Sequence, residues 1–198
     1  MITFQHSKWL RELKYFLPKA YFTRDVLNKK SYKMGGLPNN KMEIKRPDEN
    51  ELKGLIPLYK KEFPVHNIFQ KKTDEEIVTY LKEADETYEI YVGIENEKVV
   101  AGAVLIQTSS DVDKNHLVWK FRHFAAEEGA ENKAKELLTH LESVIKEQSQ
   151  TAKIELTLAE GEQKYIEISK SHGYVLEGTL ANHYRFGENT YLYGKSIQ

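Results

Sequence analysis

Between residues 116 and 159 the hydrophobic period of the chain changes twice, and this constrains the fold more than any other feature. "HLVWKFRHFAA" (116–126) reads as a strand. Ala134, Leu137, Leu138, Leu141, Val144 and Ile145 then form a stripe that only an α-helix lines up on one side. "AKIELTL" (152–158) returns to alternation. A core helix bracketed by two strands points to a mixed α/β architecture. The connecting loop, "AEEGAEN" (126–132), carries one glycine and stands at a helix N-terminus. Free backbone N–H groups and the helix dipole favour anions at such a place.

The alternation extends over the rest of the chain from residue 42. "MEIKRP" (42–47) reads as a short strand. "ENELKGLIPLYKKEFP" (49–64) puts Leu52, Leu55, Ile56, Tyr59 and Phe63 on one helical face, and Pro57 inside it predicts a kink or a split. "TDEEIVTYLKEAD" (73–85) is a second helix, opened by a Thr73/Glu76 capping box. "YEIYVGI" and "VVAGAVLIQ" form a strand pair around "ENEK", and "EGEQKYIEISKSHG" (160–173) is a short helix stopped by Gly173. "YVLEGTLANHYRF" and "TYLYGKSIQ" close the chain as two strands around "GEN".

"KMGGLPNNK" (33–41) sets residues 1–41 apart as an extension, because Gly-Gly, Pro and Asn-Asn together mark a linker or long turn. Trp9, Leu13, Phe16 and Leu17 predict a helix there, capped by Ser7 and ended by Pro18. The segment is basic: residues 1–42 hold Lys8, Arg11, Lys14, Lys19, Arg24, Lys29, Lys30, Lys33 and Lys41 against Glu12 and Asp25. It is expected to pack on its own domain or on a second copy, giving a homodimer. Nucleic acid is the less favoured partner, since the chain as a whole carries a net charge of −1. There is no cysteine, which excludes disulfides, thiolate catalysis and cysteine metal sites and suits a cytoplasmic location. No apolar run approaches the ~20 residues that span a bilayer, and no histidine pair has metal-ligand spacing, so neither membrane insertion nor a metal is expected.

The order strand, two helices, three strands, helix, strand, helix, two strands resembles the GNAT superfamily of acyl-CoA N-acyltransferases. In that family a loop patterned Arg/Gln-x-x-Gly-x-Gly/Ala precedes a helix with paired leucines. Aligning Leu137–Leu138 places Gly129 at the Arg/Gln position, Asn132 at the first glycine and Ala134 at the Gly/Ala position. "SKSHGY" matches the family's Tyr-x-x-x-Gly-Phe with Ser169 at the tyrosine and Gly173–Tyr174 at Gly-Phe. The resemblance covers residues 42–197 and implies a GNAT-like mixed, mostly antiparallel twisted sheet with helices on both faces.

It also implies a chemistry. Acetyl-CoA is the expected co-substrate, its pyrophosphate at Gly129, Ala130, Asn132, Lys133 and Ala134 and its pantetheine amide against the backbone of Phe124 and Ala125. The degenerate loop carries Glu127, Glu128 and Glu131 close to that anion site. Tyr165, one turn before Ser169, is the candidate acid for the leaving thiolate. His123 is the candidate base, with His116 and Glu127 as rivals. His183 and Tyr184 are candidate acceptor-pocket residues. The expected reaction is direct attack by a primary amine, a small polyamine or an amino-acid amine, in a ternary complex. The alternative is a catalytically weak binding module acting through its basic N-terminal segment on a protein or nucleic acid.

Overall fold

Seven strands form one sheet in the order β1-β2-β3-β4-β5-β7-β6. In chain order these are β1 (Glu43–Lys45), β2 (Glu89–Glu95), β3 (Lys98–Asp111), β4 (His116–Ala126), β5 (Thr151–Ala159), β6 (Val175–Ala181) and β7 (Asn189–Ile197). The helices are α1 (Glu49–Glu62), α2 (Asn67–Lys71), α3 (Asp74–Thr87), α4 (Glu131–Gln148) and α5 (Gln163–Ser171). The computed structural model describes residues 41–111 and 115–198. The expected helix, basic charge and pairing of residues 1–41 lie, but for Lys41, outside the described residues. All neighbouring strands are antiparallel except β4 and β5, which run parallel because α4 carries the chain back across the sheet. The mixed, mostly antiparallel sheet with helices on both faces is therefore the fold that the element order predicts.

Local chemistry sets the element ends. α3 starts in the predicted capping box: Glu76 N–H donates to Thr73 Oγ1 at 3.3 Å and Thr73 N–H to Glu76 Oε2 at 2.9 Å. α1 has a second such box, Asp48 with Glu51, at 2.8 and 2.9 Å. Pro57 does not split α1. It lies on the exposed side, where water can take the carbonyl that loses its partner. The β2–β3 turn places Asn96 and Glu97 at φ +50 and +63, the left-handed pair that a two-residue hairpin needs.

Each face of the sheet has its own core. Leu137, Leu138, Leu141 and Ile145 of α4 are fully buried and pack with Trp119, Phe121, Phe124 and Leu156. On the opposite face Leu55, Tyr59, Phe69, Ile77 and Leu81 pack with Ile90, Val92 and Val104. Gly102 lets α1 approach the sheet, for a Cβ there would collide with Leu55 Cδ2.

The middle of the sheet opens. β4 and β5 pair from His116↔Thr151 to Phe121↔Leu156 and no further. Beyond that point β4 keeps only β3, and β5 keeps only β7. The register of β3 with β4 slips here: Val104 faces Arg122 and Gly102 faces Ala125, so Ala103 stands opposite both His123 and Phe124. His123 takes a left-handed φ of +48 at this bulge. The extra residue resets the alternation, so that Arg122 and His123 both lie on the α1–α3 face while Phe121 and Phe124 both lie under α4. Among the described residues no helix is long and apolar enough to cross a membrane.

Candidate active site

The free edge of β4 ends in a network of three side chains. Glu127 N–H donates to Val100 O of β3 at 2.9 Å, which turns Ala126 the other way, toward the opening. There Ala126 N–H donates to the Tyr165 hydroxyl oxygen at 3.2 Å, and Ala126 O accepts from Lys164 Nζ at 2.7 Å. Strand alternation turns the N–H and C=O of Phe124 the same way. The Tyr165 hydroxyl donates to Glu62 Oε2, which also accepts from Lys164 Nζ at 3.1 Å. Glu62 is the last residue of α1, and its side chain is only 10% exposed. Burial and the Glu62 carboxylate hold the Tyr165 phenol well above its usual range, so it stays protonated.

At the start of α4 the backbone turns at Gly129, whose φ is +72 and beyond which lies open space. Ala130 N–H donates to Glu127 O at 3.1 Å, and Lys133 and Ala134 N–H donate to Ala130 O at 2.9 and 3.1 Å. No side chain caps this helix. The N–H groups of Gly129, Glu131 and Asn132 are thus without a partner among the described residues. Two of the three acids near the loop are drawn off by lysines: Glu127 pairs with Lys98, and Glu128 with Lys61 at 3.1 Å. A groove of about 900 Å³, lined by Asn50, Gly54, Lys61, Lys98, Glu128 and Gly129, runs beside the loop.

The α1–α3 face of the opening is aromatic and cationic. The Tyr80 hydroxyl and His123 Nε2 are 2.9 Å apart, and His123 packs edge-on to Phe69 and to His66. Burial, with His66 and Arg122 close by, pulls the His123 imidazolium down to about 3. His66 is likewise lowered, by burial and by Arg185 and Arg122. Arg185 belongs to the β6–β7 loop and pairs with Glu188 at 3.0 Å. The same loop carries Tyr184, which lies near enough to Arg122 and Glu162 to feel both charges. Phe186, at 97% exposure, stands at its tip.

The family model of the acetyltransferase (GNAT) domain matches residues 44–191. The chain belongs to the GNAT acetyltransferase family. By that membership it is a transferase of acyl groups, and the family uses acetyl-CoA. No curated protein matches it in sequence. Among solved structures it is similar to an N-acetyltransferase from Staphylococcus aureus Mu50, at 15% identity and a TM-score of 0.60, over 80% of this chain and 99% of that one. It is similar to the aminoglycoside 6'-N-acetyltransferase from Enterococcus faecium, at 15% identity and a TM-score of 0.60, over 79% and 98%. YncA from Salmonella typhimurium, whose structure includes its cofactor acetyl-CoA, shares 11% identity at a TM-score of 0.61, over 80% and 95%.

Within this GNAT chain the expected site residues are placed unevenly. Tyr165 lies in the three-residue network at the end of β4, whereas Ser169 is buried and donates to Tyr165 O at 2.7 Å. Ala125 is in register with Gly102 and faces β3, which leaves Phe124 as the residue whose backbone faces the opening. Gly129 and Asn132 have free N–H groups, while those of Ala130, Lys133 and Ala134 are engaged in the turn and the helix. The left-handed residue is Gly129, so Asn132 takes an ordinary first-turn position. Lys133 Nζ pairs with Glu95, not with the loop. His123 is at the opening but holds no proton near neutrality, and His116 is at the other end of β4, bonded to Thr151 Oγ1 at 2.9 Å. His183 and Tyr184 are in the loop between β6 and β7, not in a strand. Glu62, Lys164, Arg122 and the Glu131 N–H were missed. They come from an α1 terminus, a helix start, a bulge and a cap, none of which leaves a periodic signal.

Proposed function

We propose that this GNAT protein moves an acetyl group from acetyl-CoA to the primary amine of a small molecule by direct attack in a ternary complex. The carrying observation is the Tyr165–Glu62 hydrogen bond at the open end of β4. A carboxylate and a protonated phenol in contact supply the two proton transfers that the reaction needs. Glu62 takes a proton from the attacking amine, directly or through one water. The amine nitrogen bonds to the thioester carbon, the C–S bond breaks, and Tyr165 gives its proton to the leaving thiolate. Glu62 then returns a proton to Tyr165, so both groups end as they began. With no cysteine in the chain, an acyl-thioenzyme has no place in the scheme.

The backbone fits the co-substrate. Phe124 N–H and C=O meet the pantetheine amide in place of the missing strand, and the N–H groups of Gly129, Glu131 and Asn132 meet the pyrophosphate. Lys164, beside the carbonyls of Ala126 and Glu127 at 2.7 and 3.2 Å, adds a cation between the two. Calorimetric titration with acetyl-CoA and with desulfo-CoA tests this fit without the acceptor. Glu131→Pro removes one free N–H at a helix position that tolerates proline, and it should weaken both titrations while the protein stays folded. A parent protein that takes up neither ligand sinks the reading.

A further inference from the structure

We infer that the acceptor is a primary amine that also carries a carboxylate, as an amino acid does, rather than a polycationic amine. The inference rests on the acetyltransferase reading and adds the class of acceptor. It starts from the first residues beyond the last β4–β5 pair. Arg122 on β4 and Thr157 on β5 each follow the Phe121↔Leu156 pair, and alternation puts both on the α1–α3 face, at the mouth of the opening. Arg122 is exposed and makes no hydrogen bond or ion pair with a described residue. Thr157 Oγ1 is buried and has no hydrogen-bond partner among the described residues. A guanidinium fork and a hydroxyl donor on the two lips of one cleft match the two oxygens of a carboxylate.

The surrounding charge agrees. Lys120, two residues before Arg122 on the same face, also forms no hydrogen bond or ion pair with a described residue. Its ammonium is lowered by burial first and by Arg122 second, with Glu155 opposing. Arg185 reaches the same region from the β6–β7 loop. His66 and His123, the titratable groups under Arg122, are held neutral and do not add to or offset the charge. Of the nearby acids Glu155 faces Lys120, and the others are already engaged. Glu188 pairs with Arg185, Glu162 accepts from Ala159 N–H at 2.6 Å, and Glu62 is held by Tyr165 and Lys164. Glu155 stands in register with Lys120, whereas no described residue pairs with Arg122, and an anion seated against Arg122 also relieves its repulsion of Lys120. A polyamine or an aminoglycoside would add further positive charge to this face.

The test is an acetylation panel read by release of the coenzyme A thiol, which a chain without cysteine leaves free of background. The acceptors are the common amino acids other than cysteine, whose own thiol would be read, and proline, which has no primary amine, with β-alanine and γ-aminobutyrate, the amides of any that react, spermidine and kanamycin. At least one carboxylate-bearing amine should turn over, with its amide, spermidine and kanamycin roughly ten- to hundredfold lower in kcat/KM, the size of a hydrogen bond to a charged group. Arg122→Ala should raise KM for that acid while leaving kcat and acetyl-CoA affinity nearly unchanged, and should shrink the acid-to-amide ratio. Arg122→Lys should restore part of the ratio. The inference is overturned if spermidine or kanamycin is preferred, if the ratio survives Arg122→Ala, or if a protein that binds acetyl-CoA acetylates no carboxylate-bearing amine. A protein that binds no acetyl-CoA overturns the underlying reading, and this inference with it.

Discussion

At the scale of single residues, His123 and Tyr165 show opposite uses of burial. His123 has a folded pKa of about 3 against the usual ~6.5. Between those values the unfolded chain binds a proton that the folded chain refuses, so stability falls as pH drops through that window and is fully present above it. His123→Asn keeps a residue that accepts the left-handed φ of +48. It should flatten the fall in melting temperature between pH 6.5 and pH 4, as followed by circular dichroism. Burial also keeps Tyr165 protonated, but here the hydroxyl has work in the proposed reaction. Tyr165→Phe should lower kcat about a hundredfold or more, the usual range for a positioned acid. It should also leave acetyl-CoA affinity close to the parent's, by titration. Sequence reasoning reached Tyr165 because it lies one helical turn from the family's tyrosine position. It could not reach Glu62, whose role depends on the end of α1 meeting the start of α5, a contact about a hundred residues apart that no local pattern encodes.

At the scale of elements, α4 was legible almost whole because a long stripe fixes both its existence and its buried side. The same burial decides which substitutions can probe the loop before it. Ala134 is fully buried among Leu137, Leu138 and the sheet, so a tyrosine there would overpack the core rather than block a ligand. Ala134→Tyr should therefore lower the melting temperature sharply in the absence of any ligand, which separates it from Glu131→Pro. Thr73→Ala should cost about 1 kcal/mol through loss of the α3 cap, measured by urea unfolding, with the slope of the transition unchanged. Two elements depart from their patterns for physical reasons. Pro57 predicts a kink or a split, and α1 is not split because on an exposed side the lost hydrogen bond goes to water. α2 was not anticipated, since five residues hold too few turns for a period to show.

At the scale of the whole molecule, strand types and their order were readable, but the opening in the sheet was not. It arises where pairing stops, and the sequence of β5 continues to alternate past Leu156 as if it were still joined to β4. The bulge at His123 is equally silent, because one added residue in a run of aromatic and basic side chains leaves both faces plausible. The family resemblance supplied the backbone contact at Phe124 and Ala125 that periodicity could not. If acetyl-CoA occupies the opening, the ligand binds only the folded chain, and at about a hundred times its Kd it should add ~2.7 kcal/mol to stability. A thermal-shift titration rising with the logarithm of acetyl-CoA concentration is the expected result, and a flat one counts against the site.

The gap also makes the protein keep its own clock. Phe124 is 4% exposed beneath α4, yet its amide faces a side where no strand pairs with it. In heavy water that amide should trade its proton early, while those of Leu105 and Phe121 in the closed part of the sheet wait for deeper opening. A filled gap would delay the exchange, so one peptide spanning residues 122–126 reports in deuterium uptake whether the missing strand has arrived.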